Sequence, residues 1–568
     1  MWGREGALCL SSWQRDSLGF VVPGESRDPN EDKHKAPTSA LPHPLSLQDE
    51  DAGTTPFPDP VVKIHYGILK QKAGNMREET EQTIIPQPAL PVSQPVKKQW
   101  MRYFFAENAS PDAASLIDVQ RRACWIGVAL ILQALNEVAL LVLVYFPVVP
   151  FLTAWAGLIS FGLIGGSLIA LWMAFRPASL KLGEGDVIGQ KRPRRWQRVV
   201  VMLLLISSLA GAGEIVASTV PGFFMTPVYK NDGTSIDMNA AILLTEGRDP
   251  YVDSNILDVV RRFSILAIWT TPLHTGQFAS SASYPTPDQL SRALALDLKT
   301  GNAPEFESKV SYPAFSFLSL VPFVWLKTNN ALPLYLICYL LIAFIGWKKV
   351  RPEMRPWLIL LSLANVSMLT SVLNGNADML YILLILLAWL LRDRRWWSIL
   401  CLGLALATKQ PAWLFLPFYA ILIWQHRGLK EAIGRLSMAG GIALAINLPF
   451  IVWNFHAWLA GVLAPVADPM YPSGVGVVAL GLTPIFPLLP ADAYTALEAL
   501  AMLFCIAWYW RICKSRPEAA MLLAVLPLFF AWRSLPSYFY CAALPLFILQ
   551  VVRVLPKQAS LLPRVIQS

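Results

Sequence analysis

The chain has 568 residues, 55% hydrophobic and only 15% charged, with a formal net charge of +9. Soluble domains carry about 25% charged residues, and the apolar runs of spanning length that recur from Cys124 to Val552 exclude a soluble core; they predict an all-α polytopic membrane protein in a lipid bilayer. In such a protein the excess of Lys and Arg belongs to cytoplasmic loops, so it is not a signature of nucleic-acid binding.

Residues 1–120 are polar and rich in Pro, Ser, Asp and Glu, without sustained periodicity, and are expected to be a disordered cytoplasmic region. Met76 and Met101 both precede the first span, and no function is placed upstream of them. A transmembrane hairpin is expected over 121–176, with spans near 124–146 and 151–175. The basic residues Arg176, Lys181, Lys191, Arg192, Arg194, Arg195 and Arg198 then mark a cytoplasmic loop. A span near 199–220 opens a membrane core over 197–555 and carries the chain outward. The seven cysteines are scattered with no CxxC pair, and read as small apolar packing residues.

The stretch from Tyr229 to Tyr251 opens the longest polar interval, a loop of roughly 221–311 with more acids than bases. Thr234-x-x-Asp237 reads as a capping box, with Thr234 as N-cap. Ala240 to Leu244 continues that helix, Gly247 stops it and Pro250 prevents its resumption. Asp232 lies just before the helix, a carboxylate at the mouth of an apolar body. A second, interfacial helix is expected over 256–273.

Ser311-Tyr312-Pro313 returns the chain to the membrane. The runs 314–326 and 332–347 are both apolar, and Lys348, Lys349, Arg351 and Arg355 then mark the cytoplasmic side. One of the two runs must fail to cross, and the first is expected to be short or re-entrant. Later loops alternate in charge, giving about twelve spans in all, a cytoplasmic tail at 556–568 and both termini in the cytoplasm of a multi-pass plasma-membrane protein.

Asp232, Asp237, Asn374, Asn376, Asp378, Lys409 and Arg533 all fall on the outer face, where ionisable groups at span ends point to a wet cavity. Each also has a structural reading. Asp237 caps its helix, Asp378 opens the helix 379–391, Lys409 snorkels to an interface, and Arg533 pairs with a lipid headgroup. No metal-ligand spacing, Gly-rich phosphate loop or Ser/His/Asp arrangement stands out.

These residues resemble a known family. Asp232 followed by Ala240-Ala241-x-Leu243-Leu244-x-x-Gly247-x-x-Pro250-Tyr251 is similar to the first external loop of glycosyltransferase family 87, in the GT-C superfamily. Ser311-Tyr312-Pro313 resembles that family's Tyr-Pro-Pro entry, with Ala314 in place of the second Pro. Asn374-Gly375-Asn376-Ala377-Asp378 resembles its Gly-Gln-x-Asn turn, with Asn376 where Gln is usual. Gly403-x-x-x-Ala407-Thr408-Lys409-Gln410-Pro411 resembles its Gly-rich helix ending in Lys and Pro. The likeness covers about 200–553, and the hairpin before it is an addition.

The resemblance implies a GT-C-like bundle whose first external loop carries short interfacial helices. It implies inverting transfer of a hexose, mannose-like, from a polyprenyl-phosphate carrier to a hydroxyl of a lipid or glycan acceptor outside the cytoplasm. On that reading Asp232 is the general base, with Asp237 and Asp378 as secondary acidic candidates. Lys409 and Arg533 hold the carrier phosphate, an anion that needs cations at a membrane face. Tyr251, Tyr312, Asn374, Asn376, Gln410 and Tyr538 are the substrate-contact candidates. No cofactor is assigned, and a divalent cation is compatible with the chemistry. A transporter or lipid flippase, using the same charges as a pathway, is the alternative.

Overall fold

Hydropathy decides the architecture before packing does. The computed structural model describes residues 113–145, 150–176, 195–224, 229–281 and 283–555. The remainder, including most of 1–120, the basic loop beyond Arg176 and the tail 556–568, lies outside the described residues. The described chain is an all-α polytopic membrane protein. Seven helices are long and apolar enough to cross a membrane, or eight if the pair Pro352–Ala364 and Val366–Leu373, bent by 53°, counts as one span. Five shorter apolar helices accompany them. Phe315–Trp325 is among the short ones, as the charge alternation requires, whereas Leu332–Lys349 has spanning length. A helix of that shorter length rises well under the ~30 Å of a bilayer core.

Helices α1 (Ala113–Tyr145) and α2 (Pro150–Phe175) form a hairpin, and α1 begins upstream of the expected boundary at 121. The hairpin is tied to the core by polar groups as well as by packing. Arg122 and Gln550 both donate to the carbonyl of Ala174, at 2.9 and 3.0 Å, satisfying an orphan acceptor at the end of α2. Helix α3 (Arg195–Phe224) opens the core and packs on α1. Among the described residues the six cysteines are free and buried, consistent with a packing role.

The polar interval folds differently from the local expectation at three points. Helix α4 (Asp232–Thr245) starts three residues early, because Asn231 is the N-cap and accepts from the Thr234 amide. Thr234 is therefore inside the helix, and its hydroxyl donates instead to the carbonyl of Gly375. Asp237 is no cap, since the capping box is absent. At the other end Glu246 is the C-cap and Gly247 follows at φ 75°. The Gly247 amide donates to Leu244 and the Arg248 amide to Leu243, each at 3.0 Å, which is a Schellman closure. Pro250 then begins a new helix, α5 (Pro250–Asp253), at the position where its missing amide costs nothing. Helix α6 (Ile256–Phe263) is much shorter than 256–273, because Ser264 adopts the left-handed conformation at φ 51° and closes it. Its two faces still differ, with Ile256, Leu257, Val259 and Phe263 buried and Arg261 and Arg262 exposed or half-exposed. The loop continues through α7 (Pro287–Thr300), which does carry a complete capping box between Thr286 and Gln289.

Two strands, β1 (Ser473–Gly474) and β2 (Arg533–Ser534), pair in parallel and fix where Arg533 stands. Ser473 donates to Trp532 and Val475 to Ser534 across this pairing. Gly474 has φ 133°, and a Cβ there would strike the backbone of Ser534. Gly474→Ala is therefore expected to lower the thermal unfolding midpoint of the purified protein, with about 1–3 kcal/mol of backbone strain. Gly440→Ala, at a helical glycine with open space around it, is the control and leaves the midpoint unchanged or slightly raised. Equal midpoints for Gly474→Ala and wild type would contradict the fixed pairing.

Candidate active site

Four chain segments meet at the start of α4. The first is α4 itself. The second is the turn Asn374-Gly375-Asn376, whose Asn374 carbonyl accepts from Lys230 at 3.3 Å and whose Gly375 carbonyl accepts from Thr234. The third is the membrane entry at Tyr312, and the fourth is the break after the helix Arg395–Leu406. Two long-range hydrogen bonds join the last pair: Phe315 donates to Ala407 at 2.8 Å, and Gln410 Nε2 donates to Ser311 at 2.6 Å. Asn447 locks the entry further, accepting from the Ala314 amide at 3.0 Å and from the Trp458 indole at 3.1 Å.

The centre of this junction is an ion pair. Lys409 Nζ stands 2.6 Å from Asp378 Oδ1, and the ring of Tyr312 covers the ammonium at 4.7 Å. Asp378 is fully buried and Lys409 is 7% exposed, so Lys409 does not snorkel. Asp378 does not cap its helix either: it is the first residue of the helix Asp378–Leu390, whose N-cap is Ala377, and its amide donates to Asn376 Oδ1 at 2.7 Å. Burial works against the charge on Lys409, but Asp378, Tyr312 and Tyr538 outweigh it and hold the ammonium well above the usual lysine range.

The other two acids have different surroundings. Asp237 is fully buried and accepts from Ser316 Oγ at 3.0 Å. Burial pushes its carboxyl up to about 8 against the opposing effects of Ser316 and Lys409, so it is largely neutral near pH 7. Asp232 is half-buried, at the first position of α4. The positive end of that helix favours its charge. Burial still raises its proton affinity above the ordinary carboxylate value, and the Thr271 hydroxyl and then the Arg533 cation work in the opposite direction. Thr271 is placed there by Glu307, whose amide donates to the Thr271 carbonyl at 2.9 Å. Arg533 is half-buried, with Nη1 against the Met470 sulfur and its Nε without a hydrogen-bond partner. Tyr312 connects the two ends of the cluster, since a Cβ on Gly233 would lie 2.9 Å from its hydroxyl.

Every candidate residue read from the sequence thus lies in or beside this cluster, but in different roles. Tyr251 is buried, donates to the Tyr312 carbonyl at 2.8 Å and lies edge-on to Phe317 and Phe450. Gln410 uses its amide nitrogen on Ser311 and Val462. Asn376 holds Ser371 and the Asp378 amide. Tyr538 and Asn374 are half-buried, and Tyr538 is close enough to Lys409, Asp378 and Arg533 to feel their charges. Thr271, Ser316 and Asn447 were not legible as site residues, because nothing near them in sequence marks a polar partner so far along the chain. Among the described residues no group of three His, Cys, Asp or Glu side chains is arranged to hold a metal ion.

The family model of glycosyltransferase family 87 matches residues 311–535. That segment contains Tyr312, the 374–378 turn, Lys409, Gln410 and Arg533, while Asp232, Asp237 and Tyr251 lie before it. No curated protein and no solved structure matches the chain.

Two outcomes follow from these surroundings. Lys409→Met leaves Asp378 charged, buried and alone, and should destabilise the protein by about 3–5 kcal/mol, whereas the double variant with Asp378→Leu recovers most of the loss; thermal unfolding of the three proteins checks this, and an undisturbed single variant contradicts it. Asp237 takes up its proton more readily in the folded chain, at about 8, than in the unfolded chain, at about 3.9. Its contribution to stability is therefore fully present below the unfolded value and is lost as pH rises through the folded one. Asp237→Asn keeps the acceptor for Ser316 and removes the titration, so unfolding midpoints between pH 5 and 9 should fall less steeply than in wild type; parallel slopes would contradict a neutral Asp237.

Proposed function

We propose that the chain, whose residues 311–535 match the family model of glycosyltransferase family 87, is a membrane glycosyltransferase that moves a hexose, mannose-like, from a polyprenyl-phosphate carrier to an acceptor hydroxyl on the extracytoplasmic side, with inversion. The observation that carries the reading is the contrast among three acids. Asp378 is tied to Lys409 and Asp237 is fully buried and largely neutral. Asp232 alone of the three is not a fully buried residue; it stands at a helix start with a cation facing it, although its Oδ2 is itself buried.

On this reading Asp232 accepts the proton of the acceptor hydroxyl as that oxygen attacks the anomeric carbon. The bond from that carbon to the carrier phosphate breaks, and the phosphate leaves with the electron pair. A base works best when its proton affinity approaches the working pH, and burial moves Asp232 in that direction. The leaving phosphate meets Arg533, whose Nε has no partner in the protein and whose planar guanidinium suits a phosphate. Lys409, with its charge balanced by Asp378, contributes a donor rather than net charge. Asn374, Tyr312 and Tyr538 line the substrate side, while Tyr251, Asn376 and Gln410 position the backbone behind them. The acceptor is a lipid or glycan hydroxyl presented at the bilayer surface.

Transfer of radiolabelled mannose from polyprenyl-phosphate mannose, at matched expression, tests these roles. Asp232→Asn should lower turnover by about 10²–10⁴-fold with the apparent KM for the carrier little changed. Arg533→Gln should raise that KM by about ten- to a hundredfold, the scale of a lost charge-assisted hydrogen bond. Near-normal turnover in Asp232→Asn would move the base to another acid.

A further inference from the structure

The hairpin carries an intramembrane acid that the proposed reaction does not use. Glu137 lies in the apolar span Ser115–Ala139. Tyr540 donates to Glu137 Oε1 at 2.5 Å, and Asn136 donates to the same Tyr540 hydroxyl at 3.4 Å. One turn away Gln133 donates to Ser167 at 2.9 Å and to the Phe539 carbonyl at 3.4 Å. On the other side Asn365, at the break of the bent pair, donates to the Tyr540 carbonyl at 3.3 Å. The backbone and hydroxyl of Tyr540 are thus held from two directions, by the hairpin and by the break between Ala364 and Val366.

An acid inside a membrane span is costly. Hairpin docking alone needs only small apolar contacts, so a carboxylate retained on this face calls for a further task. Tyr540 ends the short helix Ser537–Tyr540, two residues after Tyr538 and a few after Arg533. That segment is held at its start by the two-residue β1–β2 pairing and at Phe539 by its packing on Phe529; its far end is tied through Tyr540.

We propose that Glu137 is a positioning residue: through Tyr540 it fixes the segment 533–540 and so holds Arg533 and Tyr538 at the site. The consequence for catalysis rests on the role given above to Arg533, but the mechanical coupling does not. Glu137 touches neither substrate nor Arg533, and acts only through the Tyr540 hydroxyl. An amide at position 137 still accepts that hydroxyl's hydrogen, so Glu137→Gln preserves the link, while Glu137→Ala and Tyr540→Phe remove it.

Hydrogen exchange of the full chain in lipid nanodiscs, read by mass spectrometry, tests the coupling. Glu137→Ala and Tyr540→Phe should each raise amide exchange in 533–541 by about five- to tenfold relative to the rest of the chain, the factor that one lost hydrogen bond implies. Glu137→Gln should match wild type. Unchanged exchange at 533–541 in both variants, or an equal rise throughout the chain, overturns the proposal. Kinetics with polyprenyl-phosphate mannose separate the two levels. A raised KM in Glu137→Ala and Tyr540→Phe, rescued in Glu137→Gln, supports positioning of Arg533. Local exchange that rises while KM stays fixed supports the coupling and counts against Arg533 as the phosphate contact.

Discussion

The buried pair between Lys409 and Asp378 is the constraint on which the rest of the site depends. The two charges lie 2.6 Å apart under the ring of Tyr312. Two charges taken out of water need each other, and removing one strands its partner at a cost of several kcal/mol. The pair therefore fixes the start of the helix Asp378–Leu390 relative to the break before Pro411. Tyr312 brings the membrane entry to the same point, and Gln410 joins Ser311 to it from the other side. Proline supplies the complementary local effect, since Pro313 and Pro411 each withhold a backbone donor where a continuous helix would otherwise carry these groups past one another.

Once that framework is set, three acids within one region acquire three different characters. Asp378 is neutralised by a cation. Asp237 is neutralised by a proton, because burial outweighs the Ser316 hydroxyl and Lys409. Asp232 keeps partial access to solvent at the start of a helix, with Thr271 and Arg533 favouring its charge. Composition makes these residues equivalent, and their surroundings do not. Under the proposed function, this separation of carboxyl environments is what would let one site hold a base beside an ion-paired acid and a neutral one.

Much of this was legible in the sequence, for reasons that differ by element. Apolar runs are read by length alone, so the membrane class and the short helix at 315–325 followed from hydropathy and charge alternation. Gly247 was legible because a left-handed helix end has a local residue preference. The start of α4 was not, because Asn231 and Thr234 are both good N-caps and their choice is settled elsewhere. The Thr234 hydroxyl is taken by Gly375, 141 residues away, a partner no local pattern contains. Pro250 fits equally well after one helix or at the start of the next, and only the Asp249 side chain accepting from the Tyr251 amide shows which. Lys409 read equally as a snorkelling or a phosphate-binding lysine, since its partner lies 31 residues back, at the start of a neighbouring helix. Residue type marked which groups were unusual; their mutual pairing came from topology.

The most direct measurement is a cryo-electron microscopy structure of the full chain in nanodiscs with a non-transferable polyprenyl phosphonate and its mannosyl analogue. The phosphonate is expected against Arg533, with the sugar's anomeric carbon facing Asp232 and the Lys409–Asp378 pair intact. Phosphonate density seated among the basic residues at 392–395, or an anomeric carbon facing away from Asp232, would contradict that assignment of the site.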